Sequence, residues 1–139
     1  DFDEIMRVIN VNAIGTLRVT NALSSLVLNS TEKTIVNISS EAGSIADCWR
    51  TGWFGYCMSK AANNMQSALV HNNIQKLGGK VFAIHPGHVA TYMRGHLDTT
   101  AKITPDVSAE GILHVVLDMP HPINSRPLYL DYTGKELPW

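Results

Sequence analysis

Apolar residues recur at helical spacing between Asp3 and Leu28, and this pattern predicts one long amphipathic helix. Asn12 lies on the same largely apolar stripe, which is an unusual position for a polar amide. The next apolar run, Thr34 to Ile38, is short and rich in β-branched residues, as is typical of a buried strand. It ends in Ser39-Ser40, and a loop rich in Gly, Ser and aromatic residues follows over residues 41–55.

Two further helices and two further strands are predicted downstream. The second long helix covers Tyr56 to Leu77 and is stopped by Gly78-Gly79. Lys80 to His85 is a nearly continuous apolar strand, a pattern that favours a parallel strand covered on both faces. Thr104-Pro105 opens a third helix that runs to about Asp118, and Leu128 to Tyr132 is the last strand.

The elements alternate as helix, strand, helix, strand, helix, strand, which predicts an α/β fold with a parallel sheet and right-handed crossovers. No linker or internal repeat divides residues 1–139, so we expect a single domain. The stretch between Val89 and Ile103 has only weak helical character and several polar residues, and we expect it to be mobile.

Composition places the chain among ordinary globular proteins. Of its residues 45% are hydrophobic and 17% charged, and the formal net charge is −1, so nothing in it recruits nucleic acid or an anionic membrane. Its apolar runs are too short to span a bilayer. Cys48 and Cys57 form no C-x-x-C pair and no signal peptide is visible, so we expect reduced thiols and a cytoplasmic protein.

Tyr56 and Lys60 are the first candidates for chemistry. They are four positions apart near the start of a predicted helix and therefore share a face. An ammonium group and the positive end of the helix dipole both stabilise phenolate, so the pair suits general acid–base work on a carbonyl or an alcohol. The ordinary alternative is a Tyr and a Lys on a solvated helix face.

The predicted topology brings further residues to the same place. Ser39-Ser40 ends one strand, Pro86-Gly87 ends another, and Tyr56 opens the helix between them. Ligands of parallel sheets bind beyond the carboxyl ends of the strands, so these elements converge where a ligand is expected. Taken singly, the serines read as a turn or helix cap and the Pro-Gly pair as a strand stop.

Four motifs then carry a resemblance to a known family. They are V-N-A-I-G from Val11, I-V-N-I-S-S from Ile35, Y-C-M-S-K from Tyr56 and H-P-G-H-V-A-T from His85. In this order they resemble the short-chain dehydrogenase/reductase family over essentially the whole chain. The ending from Leu128, L-Y-L-D-Y-T-G-K-E-L-P-W, is similar to the C-factor/sniffer-type subgroup of carbonyl reductases. The resemblance implies the C-terminal half of a doubly wound, Rossmann-like sheet.

The resemblance also implies roles at matching positions. Tyr56 would be the acid/base of an NAD(P)-dependent carbonyl reduction or alcohol oxidation, and Ser40 would hydrogen-bond the oxygen of a small-molecule substrate. Lys60 would favour the phenolate and hold the nicotinamide ribose. Asn12 would anchor a water in the proton relay; the alternative is a helix amide bonded to backbone.

The cofactor-binding residues implied by the resemblance are Tyr56 and Lys60 together with the turn after the second strand, Pro86, Gly87, Val89 and Thr91. The first half of the family pattern is missing: the chain has no G-x-x-x-G-x-G phosphate loop and no ribose selector. NAD and NADP therefore stay open, with NADP favoured by the subgroup. We expect this fragment by itself to bind the dinucleotide poorly and to be inactive.

Several alternatives stay open. The loop after Ser40 is longer than the family's usual one, so Ser39 or Ser44 could take its place. Trp49, Trp53 and Phe54 read equally well as a substrate pocket or as packing, and residues 92–104 would form the substrate lid by resemblance.

Other functional classes are weaker. His85, His88 and His96 lack a Cys or acidic partner at useful spacing, so we expect no metal. No G-x-S-x-G elbow exists for a serine hydrolase. A non-catalytic interaction module derived from a dehydrogenase is the main rival. The family commonly dimerises through its two long helices, and the strand at Thr34–Ile38 would lack a neighbour on one side, so we expect a homo-oligomer.

Overall fold

The computed structural model describes residues 1–119 and 126–139 and confirms an α/β fold. Its sheet has three strands, β1 (Thr34–Ile38), β2 (Lys80–His85) and β3 (Leu128–Asp131), in the order β1-β2-β3. Both pairings are parallel, and Thr34 lies opposite Lys80 in the first. β3 ends one residue earlier than the sequence predicts. β1 has a strand neighbour on one side only among the described residues.

The first long helix is continuous but changes its winding. It consists of α1 (Phe2–Ile9), a π-helical segment (Asn10–Gly15) and α2 (Thr16–Asn29). Asp1 caps it, its carboxylate accepting a hydrogen bond from the Asp3 amide at 2.9 Å. The predicted range was right to within one residue at each end, but the π-helical segment was not foreseen. Such segments are rare and occur often at functional sites.

The second long helix, α3 (Phe54–Ile74), starts two residues before the predicted position and is extended by a 3₁₀ turn over Gln75–Leu77. Trp53 precedes it in the left-handed region with φ 62°, an uncommon conformation for a bulky residue. α4 (Pro105–Asp118) matches its prediction and is capped by Thr104, whose hydroxyl oxygen accepts from the Val107 amide.

The two faces of the sheet are covered differently. Phe82, Ile84 and Leu130 form an apolar core with Val115 of α4. The buried face of α3 is mostly polar instead, and most of its polar side chains form hydrogen bonds among the described residues, with Asn64 Nδ2 and Gln66 Oε1 as exceptions. For example, the Asn37 amide in β1 donates to Ser67 Oγ at 2.8 Å.

The segment between Val89 and Ile103 contains no helix, so the weak helical character predicted for it is wrong. It is an irregular loop closed at its base, where the Ala90 amide donates to the Ile103 carbonyl at 2.9 Å. In its middle, hydrogen bonds from Thr100 and His88 hold the pKa of Asp98 well below its usual range. Asp98 also accepts from the Arg94 guanidinium at 2.7 Å, so donors from several positions of the loop meet at one carboxylate.

No helix in residues 1–119 or 126–139 combines the length and apolarity that crossing a membrane requires.

Candidate functional site

A cleft of about 890 Å³ opens at the carboxyl ends of β1 and β2. Six of the eight predicted site residues line it: Ser40, Tyr56, Pro86, Gly87, Val89 and Thr91. The other two, Asn12 and Lys60, lie behind Tyr56 and contact the elements that carry it. The structure therefore brings the predicted residues together around one opening.

The three candidate serines at and after the end of β1 have different surroundings. Ser39 is engaged, because its hydroxyl donates to Asn64 Oδ1, and Ser44 lines a neighbouring cavity instead of the cleft. Ser40 lines the cleft and caps a short 3₁₀ turn, its Oγ accepting from the Ala42 amide at 3.2 Å. No described residue accepts a hydrogen bond from Ser40 Oγ, so its proton is available to a ligand.

A glycine sets the distance between this turn and α3. A Cβ at Gly43 would lie 2.8 Å from the backbone carbonyl group of Lys60. No real Cβ contact is that short, so only glycine allows the turn after Ser40 to pack directly on the first turns of α3. This close approach brings Ser40 next to the helix that carries Tyr56 and Lys60.

Tyr56 is the third residue of α3, and its ring meets the edge of Trp53 at a centroid distance of 6.2 Å. One turn later, the Lys60 ammonium lies 5.7 Å from the Tyr56 ring centroid. It donates to the Ile38 carbonyl at 3.0 Å, which ties α3 to the end of β1. Burial lowers the pKa of Lys60 from its ordinary value.

Asn12 connects the π-helical segment to the same turn of α3. Its amide donates to Ser59 Oγ at 3.0 Å, and the Ser59 hydroxyl donates to the Tyr56 carbonyl at 2.7 Å. The alternative that this amide bonds to backbone is wrong, because its partner is a side chain. Asn12 thus supports the backbone of Tyr56, and its role with a relay water stays a prediction.

The turn after β2 is fixed from two sides. The Pro86 carbonyl accepts from the Ser108 hydroxyl at 2.6 Å, which anchors the turn to α4. Gly87 has φ 85°, and a Cβ there would lie 2.8 Å from Ile103 Cδ1 and 2.9 Å from Tyr132 Cε1. Both the backbone angle and the packing therefore require glycine at this position.

Two features of the cleft were missed by sequence reasoning. His85 lines it, burial lowers the pKa of His85, and its Nδ1 has no hydrogen-bond partner among the described residues. Arg50 also lines it, 2.6 Å from a Glu41 carboxylate oxygen and stacked 4.5 Å from the Trp49 ring. The sequence showed His85 only as a metal candidate, and no pattern marks Arg50 and Glu41 as partners.

The loop over residues 41–55 and the lid segment over residues 92–104 each contribute some of the residues that line the cleft. Trp49 and Trp53 line it, whereas Phe54 is 65% exposed and lies outside the lining. From the lid segment, Met93 and Arg94 reach the cleft. His88 is paired with Asp98 at 3.0 Å, and within the described ranges no three His, Cys, Asp or Glu side chains are grouped for a metal ion.

Comparison with known proteins gives consistent matches. Residues 1–102 match the family model for short chain dehydrogenase. The chain is 34% identical to C-signal of Myxococcus xanthus, covering all of this chain and 81% of that protein. It is 32% identical to 1-hydroxy-2-glutathionyl-2-methyl-3-butene dehydrogenase of Rhodococcus sp. (strain AD45), again over the whole chain but over 60% of that protein.

Solved structures agree in fold. The NADPH-bound carbonyl reductase from chicken fatty liver superposes with a TM-score of 0.86 at 30% identity, over all of this chain and 58% of that one. The chain thus spans about three fifths of these two oxidoreductases. The ordered motifs, the parallel sheet and the matches along the whole chain agree: this protein belongs to the short chain dehydrogenase family, as its sequence predicts.

Proposed function

We propose that this chain carries the proton-transfer and substrate-binding half of an NAD(P)-dependent oxidoreductase that reduces a carbonyl or oxidises an alcohol. The observation that carries the proposal is the shared cleft, which Ser40, Tyr56 and the turn from Pro86 to Thr91 all line. Lys60 adds a positive charge 5.7 Å from the Tyr56 ring. Such a grouping of donors supports acid–base chemistry on an oxygen atom.

The residues fit the nicotinamide end of a dinucleotide. The cleft volume lies within the range of small-molecule and cofactor sites. Pro86, Gly87, Val89 and Thr91 would meet the carboxamide, and Lys60 and Tyr56 the ribose. We propose NADP over NAD, because the matching chicken carbonyl reductase is NADPH-bound.

The pyrophosphate end has no counterpart in this chain. Pyrophosphate is held by backbone amides of a Gly-rich turn at a helix N-terminus, and the sequence contains no G-x-x-x-G-x-G motif of that kind. These residues alone therefore bind the dinucleotide weakly and do not turn over substrate; the activity belongs to a protein that also supplies the nucleotide-binding half.

In the proposed reaction, Tyr56 and Ser40 both act on the carbonyl oxygen of the substrate. A nicotinamide cofactor held by Lys60, Tyr56 and the turn from Pro86 to Thr91 would supply hydride to the carbonyl carbon. Tyr56 donates its phenolic proton to the carbonyl oxygen, so that the substrate gains hydride and proton and leaves as the alcohol. Ser40 Oγ donates a hydrogen bond to the same oxygen while negative charge develops there. The nearby Lys60 ammonium stabilises the phenolate that remains on Tyr56.

We also propose a cytoplasmic homo-oligomer. Cys48 and Cys57 are both free thiols, as expected in a reducing compartment. The two long helices expose large apolar side chains, among them Met6, Leu26, Met65 and Leu69, each more than 60% exposed. Exposed apolar side chains on these helices favour association.

Serine substitutions in the full-length protein test the function. With NADPH and a panel of carbonyl compounds, we expect carbonyl-dependent NADPH oxidation, and Ser40→Ala should reduce kcat about 100-fold, as loss of one oxyanion-stabilising donor does. Ser44→Ala is the matched control, since Ser44 is buried nearby but outside the cleft. No NADPH oxidation with any carbonyl, or equal loss in both variants, would contradict the proposal and favour the non-catalytic module.

A further inference from the structure

Tyr129 lies in β3, at the opposite edge of the sheet from β1, and its side chain contacts the turn that begins at Ser40. Its side chain is fully buried, and its hydroxyl donates to the backbone carbonyl of Ser40. The two residues are 89 positions apart in the chain. The proton-transfer scheme above makes no use of this phenol, although it touches the peptide of the serine that faces the substrate.

Side-chain hydrogen bonds hold three consecutive residues where β1 ends. The Ile38 carbonyl accepts from the Lys60 ammonium at 3.0 Å, and the Ser39 hydroxyl donates to Asn64. The Ser40 carbonyl accepts from Tyr129. The first two partners belong to α3, whereas Tyr129 ties the Ser40 peptide to β3. The Ser39 amide in addition donates to the Ile84 carbonyl of β2 at 2.7 Å.

We propose that Tyr129 is a positioning residue for Ser40: its hydroxyl fixes the Ser40 peptide and thereby aims Ser40 Oγ at the substrate oxygen. This inference rests on the proposed function, because it assigns Tyr129 a role in the same reaction. Tyr129 itself does not touch substrate or cofactor in this scheme.

Contacts with the C-terminal segment fix the position of the Tyr129 ring, and with it the position of the hydroxyl that bonds to Ser40. It packs against Trp139 at a centroid distance of 5.2 Å, and its backbone carbonyl accepts from the Leu137 amide at 2.8 Å. The Trp139 carbonyl in turn accepts from the Ala46 amide at 3.1 Å, so the same C-terminal segment also binds the loop that follows Ser40. Burial raises the pKa of Tyr129, which keeps the phenol protonated and able to donate.

Removing only the hydroxyl tests the proposal in the full-length protein with NADPH and a carbonyl substrate. Tyr129→Phe should lower kcat about tenfold, while the dissociation constant for NADPH stays unchanged. Ser67→Ala is the matched control: it deletes another buried hydroxyl, which accepts from Asn37 and lies away from the cleft. We expect this control to lower the thermal midpoint but to leave kcat unchanged.

A double-mutant cycle distinguishes positioning from general structural support. In a Ser40→Ala background, Tyr129→Phe should reduce kcat by less than about twofold, because its action passes through Ser40. An undiminished tenfold loss in both backgrounds would overturn the proposal, and so would a Tyr129→Phe variant with the kcat of the wild type.

A second variant covers the case in which Tyr129→Phe does not fold. With 3,5-difluorotyrosine at position 129, the ring and hydroxyl remain, but the phenol ionises at lower pH and then cannot donate. The kcat profile should gain a new alkaline limb at the pH where absorbance reports that ionisation; a profile without it would overturn the proposal. If Tyr56→Phe retains turnover, the proposed function itself fails; if only the Tyr129 results fail, the positioning role alone is lost.

Discussion

His85 is the residue whose environment the sequence described least well. The sequence marks it only as a candidate metal ligand, yet it lines the cleft with one ring nitrogen buried. Burial is the main reason that the pKa of His85 lies below 6.5. Glu41 and Asp131 oppose this effect, whereas Arg50 and Lys60 reinforce it.

The lowered pKa of His85 predicts a pH dependence of stability. As the pH falls below 6.5, the unfolded chain takes up a proton on this side chain that the folded chain does not, so the free energy of unfolding decreases. His85→Gln removes this contribution. Thermal midpoints measured between pH 7.5 and 5 should therefore fall less steeply in the variant than in the wild type.

His114→Gln is the control for this experiment. His114 is exposed and pairs with Asp118 on the surface of α4. Its replacement should leave the slope of midpoint against pH nearly unchanged. Equal slopes for the His85 variant and the wild type would show that His85 is not buried as a neutral group.

Single residues were predictable where their chemistry shows in local spacing. Tyr56 and Lys60 stand four apart on one helix, and the structure places both at the cleft end of α3. Arg50 and Tyr129 were not predictable, because their partners Glu41 and Ser40 are assigned by tertiary packing. No spacing rule connects a residue of β3 to a turn 89 positions earlier.

Among the elements, the turn that follows Ser40 is the one whose position is most constrained by a neighbouring element, the helix α3. Gly43→Ala places a methyl group 2.8 Å from the Lys60 carbonyl, so the turn must move away from α3. We expect a loss of about 1 to 3 kcal/mol in the free energy of unfolding, as for other overpacked sites. Urea denaturation of the chain measures it.

Gly52→Ala is the matched control for the turn. Gly52 lies in the same loop, and a Cβ there would meet nothing within 4 Å. This substitution should change the free energy of unfolding by less than about 0.5 kcal/mol. Equal effects of the two substitutions would mean that the close approach of the turn to α3 does not constrain the site.

Element type was predictable from sequence, and element detail was not. The alternation of apolar runs gave the order of the helices and strands, because each must bury one face. The π-helical segment Asn10–Gly15 leaves that pattern almost unchanged, so periodicity does not reveal it. The segment from Val89 to Ile103 forms no helix, and the hydrogen bonds that Thr100 donates to Asp98 are not visible in its residue spacing.

At the scale of the whole molecule, exposed apolar surface on the long helices predicts association. Light scattering of the purified chain at micromolar concentration should show a dimer or larger species. Met65→Glu with Leu69→Glu, both on the exposed face of α3, should shift the population toward monomer. A clean monomer for the wild-type chain would contradict the prediction.

The family was predictable from four short motifs in order: two lie at the ends of parallel strands, and the other two lie in the long helices. The substrate was not, because the cleft is also lined by loop residues such as Trp49, Arg50 and Met93, whose identities carry no spacing signal. The match to the chicken carbonyl reductase covers all of this chain but 58% of the reductase.

Replacement of the phenol at position 56 is the most direct measurement. In the full-length protein, Tyr56→Phe keeps the ring beside Trp53 and removes only the proton donor. Carbonyl-dependent NADPH oxidation should fall at least about 100-fold, the lower range of what general acid catalysis contributes, while NADPH binding measured by fluorescence titration stays within about twofold. Turnover close to that of the wild type, with NADPH bound equally well, would contradict the assignment of Tyr56 as the acid/base.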